Sequence, residues 1–340
     1  MSTPTVPTFA IVSGKIVHTI VFGDIEGCIG VVRAAYLAHG AGHSVNPNSY
    51  FLRFPERPTA RIIALPAYLG DGFDVAGMKW ISSFPANVAQ GVPRASAVLV
   101  LNDYANGYPF ACLEASIISA ARTAASAVIA ARACAEGRPL PRSLGIVGNG
   151  LIARYIYEFF LRAGWAFPHI RLYDATPGES RRFSGRLALE ARHTVAYDEA
   201  IEPLLRESDL IIFATTADAP YVHDASLFAH NPIVLNISLR DLGTDVILSS
   251  YNVVADIGHV LNANTSPHLT EQRVGHRRFI HATIPQLLAG GCRMQSDRPI
   301  VVSPFGLGVL DLAVGKWVYD RAKARGELVE VPDFFWELTR

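Results

Sequence analysis

The sequence predicts an α/β protein of two domains, a doubly wound parallel sheet plus a mixed α+β domain. Three observations predict it: a length of 340 residues with half of them apolar, a mid-chain alternation of short apolar runs with helical segments, and a glycine turn set between one such run and a helix. A chain of this length exceeds what one hydrophobic core usually serves, and its apolar content is ample for two.

The first region holds a helix candidate over residues 24–39, followed by strand-like apolar runs at 61–65, 75–82 and 97–101. Asn106-Gly107 marks a tight turn, because both residues tolerate positive φ cheaply. The region therefore reads as an antiparallel meander. An alanine-rich helix over 114–136 follows and ends at Gly137 and the stretch 138–141, where Pro139 and Pro141 block helix continuation. A first domain boundary is expected there.

Beyond it, short runs at 144–147, 170–173, 194–197, 210–215, 233–237 and 253–256 alternate with helical segments, the pattern of a parallel sheet covered on both faces. A last run at 299–303 leads through Phe305-Gly306-Leu307-Gly308 into a helix candidate over 309–324, which is expected to return to the first domain. The expected division is residues 1–125 with 304–340 and residues 126–303.

Thirty basic residues balance thirty acidic ones, so no large net field recruits nucleic acid or an anionic membrane. Residues 1–10 lack the basic and apolar regions of a secretion signal. The apolar stretch 117–135 is interrupted by Arg122 and Arg132, which suits a packed helix better than a bilayer span. Cys28, Cys112, Cys134 and Cys292 form no CxxC pair and read as buried thiols of a reducing cytoplasm. The eleven histidines offer no HExxH pair, and the segment 276–281 reads as loop or surface, so no catalytic metal is expected.

Gly148-Asn149-Gly150-Leu151-Ile152-Ala153 matches GxGxxA directly after a strand and at the head of a helix over Leu151–Arg162. The first glycine makes the tight turn, the second lets the backbone approach a pyrophosphate, and Ala153 permits close packing. Phosphates then meet the free amides of the helix start. This is the signature of a Rossmann-type dinucleotide site. Asp174, twenty-four residues after Gly150 at the end of the second run, is placed to accept ribose hydroxyls and repel a 2′-phosphate, which favours NAD over NADP. Alternatively it caps a helix starting near Pro177 or begins a turn. Thr215, Thr216 and Ser238 lie at the carboxyl edge of the sheet, where they either touch the cofactor or bond their own turns.

The runs Gly77-Met78-Lys79-Trp80-Ile81, Pro85-Ala86-Asn87, Gly91-Val92-Pro93, Leu101-Asn102-Asp103, Gly107-Tyr108-Pro109 and Arg122-Thr123-Ala124-Ala125 resemble the ornithine cyclodeaminase/mu-crystallin family over nearly the whole chain. Phe51-Leu52-Arg53-Phe54-Pro55, Lys79 through Pro85, Pro93 through Ala97 and Ile237-Ser238-Leu239-Arg240-Asp241 resemble one branch of it. Those enzymes are NAD-dependent dehydrogenases of N-(2-amino-2-carboxyethyl)-L-glutamate that supply 2,3-diaminopropionate for siderophores and peptide antibiotics.

The resemblance implies that Arg53, Lys79 and Arg122 bind carboxylates, a task suited to the planar guanidinium fork. It implies that Lys79 and Asp241 handle the proton. The alternative for Arg122 is a pair with Glu114 or Asp103, and that for Asp241 is a turn before Gly243. Arg94 either adds charge beside a pocket for a substrate with several carboxylates or faces solvent. Relatives that cyclise ornithine carry a glutamate within the segment matching 61–70, where this chain has no acid. The alternatives are an ornithine cyclodeaminase, alanine dehydrogenase or ketimine reductase of the same family, or a non-catalytic crystallin-like binding protein. Family members pair through the first domain, which implies a homodimer.

Overall fold

The computed structural model describes residues 7–337, which divide into two compact units, residues 7–122 with 307–337 and residues 123–306. The division falls inside the alanine-rich helix, which spans Ser116–Ala135. By length and apolarity this helix passes for a membrane span, but 67% of its apolar stretch is buried within the protein.

The first unit is built on one sheet. Its strands are β1 (Ala10–Val12), β2 (Ser44–Val45), β3 (Tyr50–Phe54), β4 (Arg57–Leu69), β5 (Val75–Ser83), β6 (Ala95–Asp103) and β7 (Pro109–Glu114), with the short strand Val329–Glu330 beyond β1. Strands β4 to β7 form the expected antiparallel meander, and Gly107, at φ 77°, turns the chain between β6 and β7. The run at 61–65 is only the middle of a thirteen-residue strand. Pro66 marks a stop in the sequence because it lacks an N–H. In the structure it lies where β4 has no outer neighbour, between the last β3 pair at Ala64 and the first β2 pair at Tyr68.

Side chains alternate across this sheet, so Leu65, Ala67, Leu69, Val75, Lys79, Leu99 and Leu101 share the covered face. The helix Gly308–Ala324, one residue longer at its start than the periodicity predicts, packs on β4, β5 and β6 and against the helix Ile25–Gly40. A Cβ at Gly315 would sit 2.2 Å from Leu99 Cδ2, so glycine is what lets this helix lie so close to the sheet. The helix Gly14–Gly23 escapes the sequence reading, as do β1, β3 and β7.

The second unit carries an all-parallel sheet of β8 (Ser143–Val147), β9 (His169–Tyr173), β10 (Thr194–Tyr197), β11 (Leu210–Phe213), β12 (Ile233–Asn236), β13 (Tyr251–Val254), β14 (Ile280–Thr283) and β15 (Ile300–Ser303). Its order is β10-β9-β8-β11-β12-β15-β13-β14, so the winding reverses between β8 and β11. This is the doubly wound, Rossmann-type sheet, and its switch point follows β8. The run at 253–256 corrects to β13, which ends at Val254, because Asp256 instead accepts the N–H of His259 and caps a short helix. The segment 276–281 is loop only up to β14, where an exposed His281 accepts the N–H of Asn252. Among the described residues no three His, Cys, Asp or Glu side chains gather as metal ligands.

Candidate active site

At the switch point β8 runs into Gly148, whose φ of 84° only glycine adopts without strain, and a Cβ there would meet Ala214 O at 2.7 Å. Gly150 begins the helix Leu151–Arg162, no side chain caps that end, and nothing lies within 4 Å of where its Cβ would stand. Open space beside uncapped amides and a buried Ala153 fits a dinucleotide pyrophosphate. Asn149 is buried, with its backbone N–H donating to Asp174 Oδ2 at 2.8 Å. The other oxygen of Asp174 accepts the N–H of Thr176 at 2.8 Å, while the next helix, Glu179–Leu187, starts after Gly178. Asp174 therefore caps no helix, but it does begin a turn through the N–H of Thr176. It ties the glycine turn to the end of β9, and a carboxylate has lone pairs left for ribose hydroxyls. Leu151 is exposed and Ile152 half-buried at the helix start. Arg181 lies over the Tyr197 ring and Arg182 pairs with Glu179.

Asp241 lies in the segment after β12 and is completely buried. Its Oδ1 accepts hydrogen bonds from Thr215 Oγ1 at 2.5 Å and Tyr221 OH at 3.0 Å, and its Oδ2 accepts one from Ser238 Oγ. Thr215 also accepts the N–H of Ala217, so it does bond its own turn, while Thr216 is exposed. Leu239 holds φ at 71°, an unusual conformation for a side chain of this size, and the N–H of Ser266 bonds its carbonyl at 2.7 Å. The strained loop thus aims Asp241 at three hydroxyls rather than serving as a simple turn.

In the first unit, Lys79 on β5 points to the covered face and is 2% exposed. Its Nζ lies 2.7 Å from Asp311 Oδ2 and donates to Ser119 Oγ at 3.1 Å. Arg122 Nε reaches Asp311 Oδ1 at 3.3 Å. Arg122 pairs neither with Glu114, which accepts the N–H groups of Ser116 and Ile117, nor with Asp103, which accepts that of Ala105. Two cations share one carboxylate, so the cluster remains positive. Burial pushes the Lys79 ammonium down to about 8, against the opposing pull of Asp311. An amine poised there exchanges protons near neutral pH.

Arg53 pairs in register with Arg61, which faces Ser83 on β5, four residues from Lys79. Arg53 is therefore on the same sheet face as Lys79, roughly 13 Å along the strand. It is exposed, its guanidinium 5.3 Å from the Phe51 ring centre. Arg94, also exposed, just precedes β6, and its carbonyl accepts the N–H of Phe84. Neither arginine is drawn into the buried cluster.

The sequence profile of the ornithine cyclodeaminase/mu-crystallin family matches residues 16–326. The chain belongs to this family. Within the family it is 30% identical to the N-((2S)-2-amino-2-carboxyethyl)-L-glutamate dehydrogenase of Staphylococcus aureus, over 85% of this chain and 88% of that protein. It is 26% identical to the alanine dehydrogenase of Archaeoglobus fulgidus, over 89% and 92% of the two chains. The fold matches the Delta(1)-pyrroline-2-carboxylate reductase of Thermococcus litoralis solved with NADH and L-proline, with TM-score 0.87, 23% identity and coverage of 95% and 100%. It also matches an archaeal alanine dehydrogenase dimer with bound NAD, with TM-score 0.85, 23% identity and coverage of 96% and 100%.

Two members of the site escaped the sequence reading of this family chain. Asp311 left one trace, a lone acid inside the apolar run of residues 309–314. Tyr221 left none, because the pairing that brings its segment beside Asp241 is an isolated bridge between Val222 and Leu242 rather than a strand.

Proposed function

We propose that the chain is an NAD-dependent dehydrogenase that oxidises the secondary amine of N-(2-amino-2-carboxyethyl)-L-glutamate and hydrolyses the imine to 2,3-diaminopropionate and 2-oxoglutarate. The observation that carries this reading is the buried Lys79–Asp311–Arg122 cluster, positive and holding an amine near 8, on the sheet face that also bears Arg53. Such a face suits a substrate with several carboxylates, which Arg53, Arg94 and Arg122 bind. Lys79 and Asp241 hold and move the proton that the substrate nitrogen loses. Bound NAD supplies the hydride acceptor. Gly148, Asn149, Gly150, Leu151 and Ile152 hold its pyrophosphate, Asp174 its ribose, and Thr215, Thr216 and Ser238 border the nicotinamide end.

The segment 61–70, which forms most of β4 and contains no acid, disfavours a cyclodeaminase that must hold a second amine. The experiment incubates the protein with the glutamate conjugate and NAD while following NADH absorbance. Turnover with release of 2-oxoglutarate is expected. Conversion of ornithine to proline and ammonia without net NADH overturns the substrate, a preference for NADPH overturns the cofactor, and binding without turnover of any amine identifies a crystallin-like binder.

We place the enzyme in the cytoplasm, consistent with four free cysteines, as a homodimer that feeds siderophore or peptide-antibiotic synthesis. The uncovered face of the first sheet supports the dimer: Tyr50, Ala64, Trp80 and Val98 form one cross-strand row, beside Leu52 and Ile62. Tyr50, Leu52, Trp80 and Val98 are all exposed, an apolar patch that a second copy covers.

A further inference from the structure

A carboxylate that accepts a substrate proton needs a route for it, and Asp241 has no surface of its own, with 0% of the residue exposed. Three hydroxyls take up its oxygens, those of Thr215, Ser238 and Tyr221. Thr215 and Ser238 are only partly exposed, and each has a second tie close by, Thr215 to the N–H of Ala217 and Ser238 to the carbonyl of Phe213. Tyr221 differs, being 43% exposed. Its position is fixed independently of its hydroxyl, since the N–H groups of Tyr221 and Val222 both bond the Asp241 carbonyl at 3.0 Å.

We infer that the Tyr221 hydroxyl is the group that meets the substrate's proton and passes its own to Asp241. The inference rests on the proposed amine oxidation. In that step the N–H bond of the substrate ammonium breaks and its proton joins Tyr221 Oη. The proton leaving Tyr221 forms an O–H bond on Asp241 Oδ1, across the 3.0 Å hydrogen bond already present. Tyr221 ends neutral, Asp241 ends as a carboxylic acid, and the substrate nitrogen regains the lone pair that hydride departure requires. No oxidant beyond the NAD of the proposed reaction is involved. Burial and the neighbouring Asp241 carboxylate both push the Tyr221 phenol upward, so it stays protonated and acts as a relay rather than as a resident base.

The test compares Tyr221→Phe with Asp241→Asn and the wild type, using the glutamate conjugate and NAD. Phenylalanine keeps the ring, and NADH fluorescence titration checks that the variant is folded. The expected result for Tyr221→Phe is a kcat lowered by about 100-fold or more, with KM and the NADH dissociation constant changed less than about threefold. In the protein without ligands, the infrared carboxylate band that vanishes in Asp241→Asn is expected to shift in Tyr221→Phe. A Tyr221→Phe enzyme as fast as wild type while Asp241→Asn is inactive overturns this inference alone, as does a rise in KM at unchanged kcat. A wild type that turns over no amine with NAD overturns the proposed function and the relay with it.

Discussion

Lys79, Arg122 and Asp311 are a buried group in which each charge depends on the others, and removing the one acid isolates two cations. Breaking such a pair by deleting one partner costs about 3–5 kcal/mol, so Asp311→Asn is expected to lower the urea midpoint markedly. The same variant lowers the Lys79 pKa below about 8, because Asp311 is what opposes desolvation there. In the wild type the ammonium drops from 10.5 to about 8 on folding. Between those values the unfolded chain binds more protons than the folded one, so stability rises with pH across that window and is flat below it. Urea unfolding from about pH 7 to about pH 11 checks this, and Lys79→Met is expected to lose the rise. Lys79 and Arg122 were legible from their motifs. Asp311 was not, since its bond to Arg122 spans 189 residues of chain and only packing brings them together.

The elements that place these side chains depend on close approach. The helix Gly308–Ala324 brings Asp311 over β5 because Gly315 leaves room for Leu99, and Asn46 Oδ1 accepts the N–H of Val309 at its start. Gly315→Ala forces a methyl into occupied space, which costs about 1–3 kcal/mol. A lower urea midpoint is expected, and an unchanged midpoint contradicts the close-packing argument. Long periodic helices and the mostly apolar strands β8, β11 and β12 were readable because their burial pattern is written in consecutive residues. Short strands such as β14 and the helix Gly14–Gly23 were not, because tertiary pairing rather than local pattern holds them. The glycine turn at 148–150 was legible in full, since its backbone geometry demands those residue types.

For the molecule as a whole, the proposed dimer rests on the exposed row of Tyr50, Trp80 and Val98. Trp80→Glu puts a charge at the centre of that face and is expected to convert a dimer to monomer in sedimentation at micromolar concentration, with NADH binding retained. A monomeric wild type contradicts the dimer.

The first sheet is also completed late. Lys79 and Arg122 leave the ribosome well before Asp311, and the whole second unit, residues 123–306, is translated between them. At ordinary elongation rates that is a delay of roughly 10–40 s. During it the nascent first unit must keep two cations out of a core that lacks their counterion. The segment from residue 307 onward therefore completes the first unit late, and a message truncated before residue 307 is expected to yield a chain whose amino-terminal part is held by chaperones or degraded.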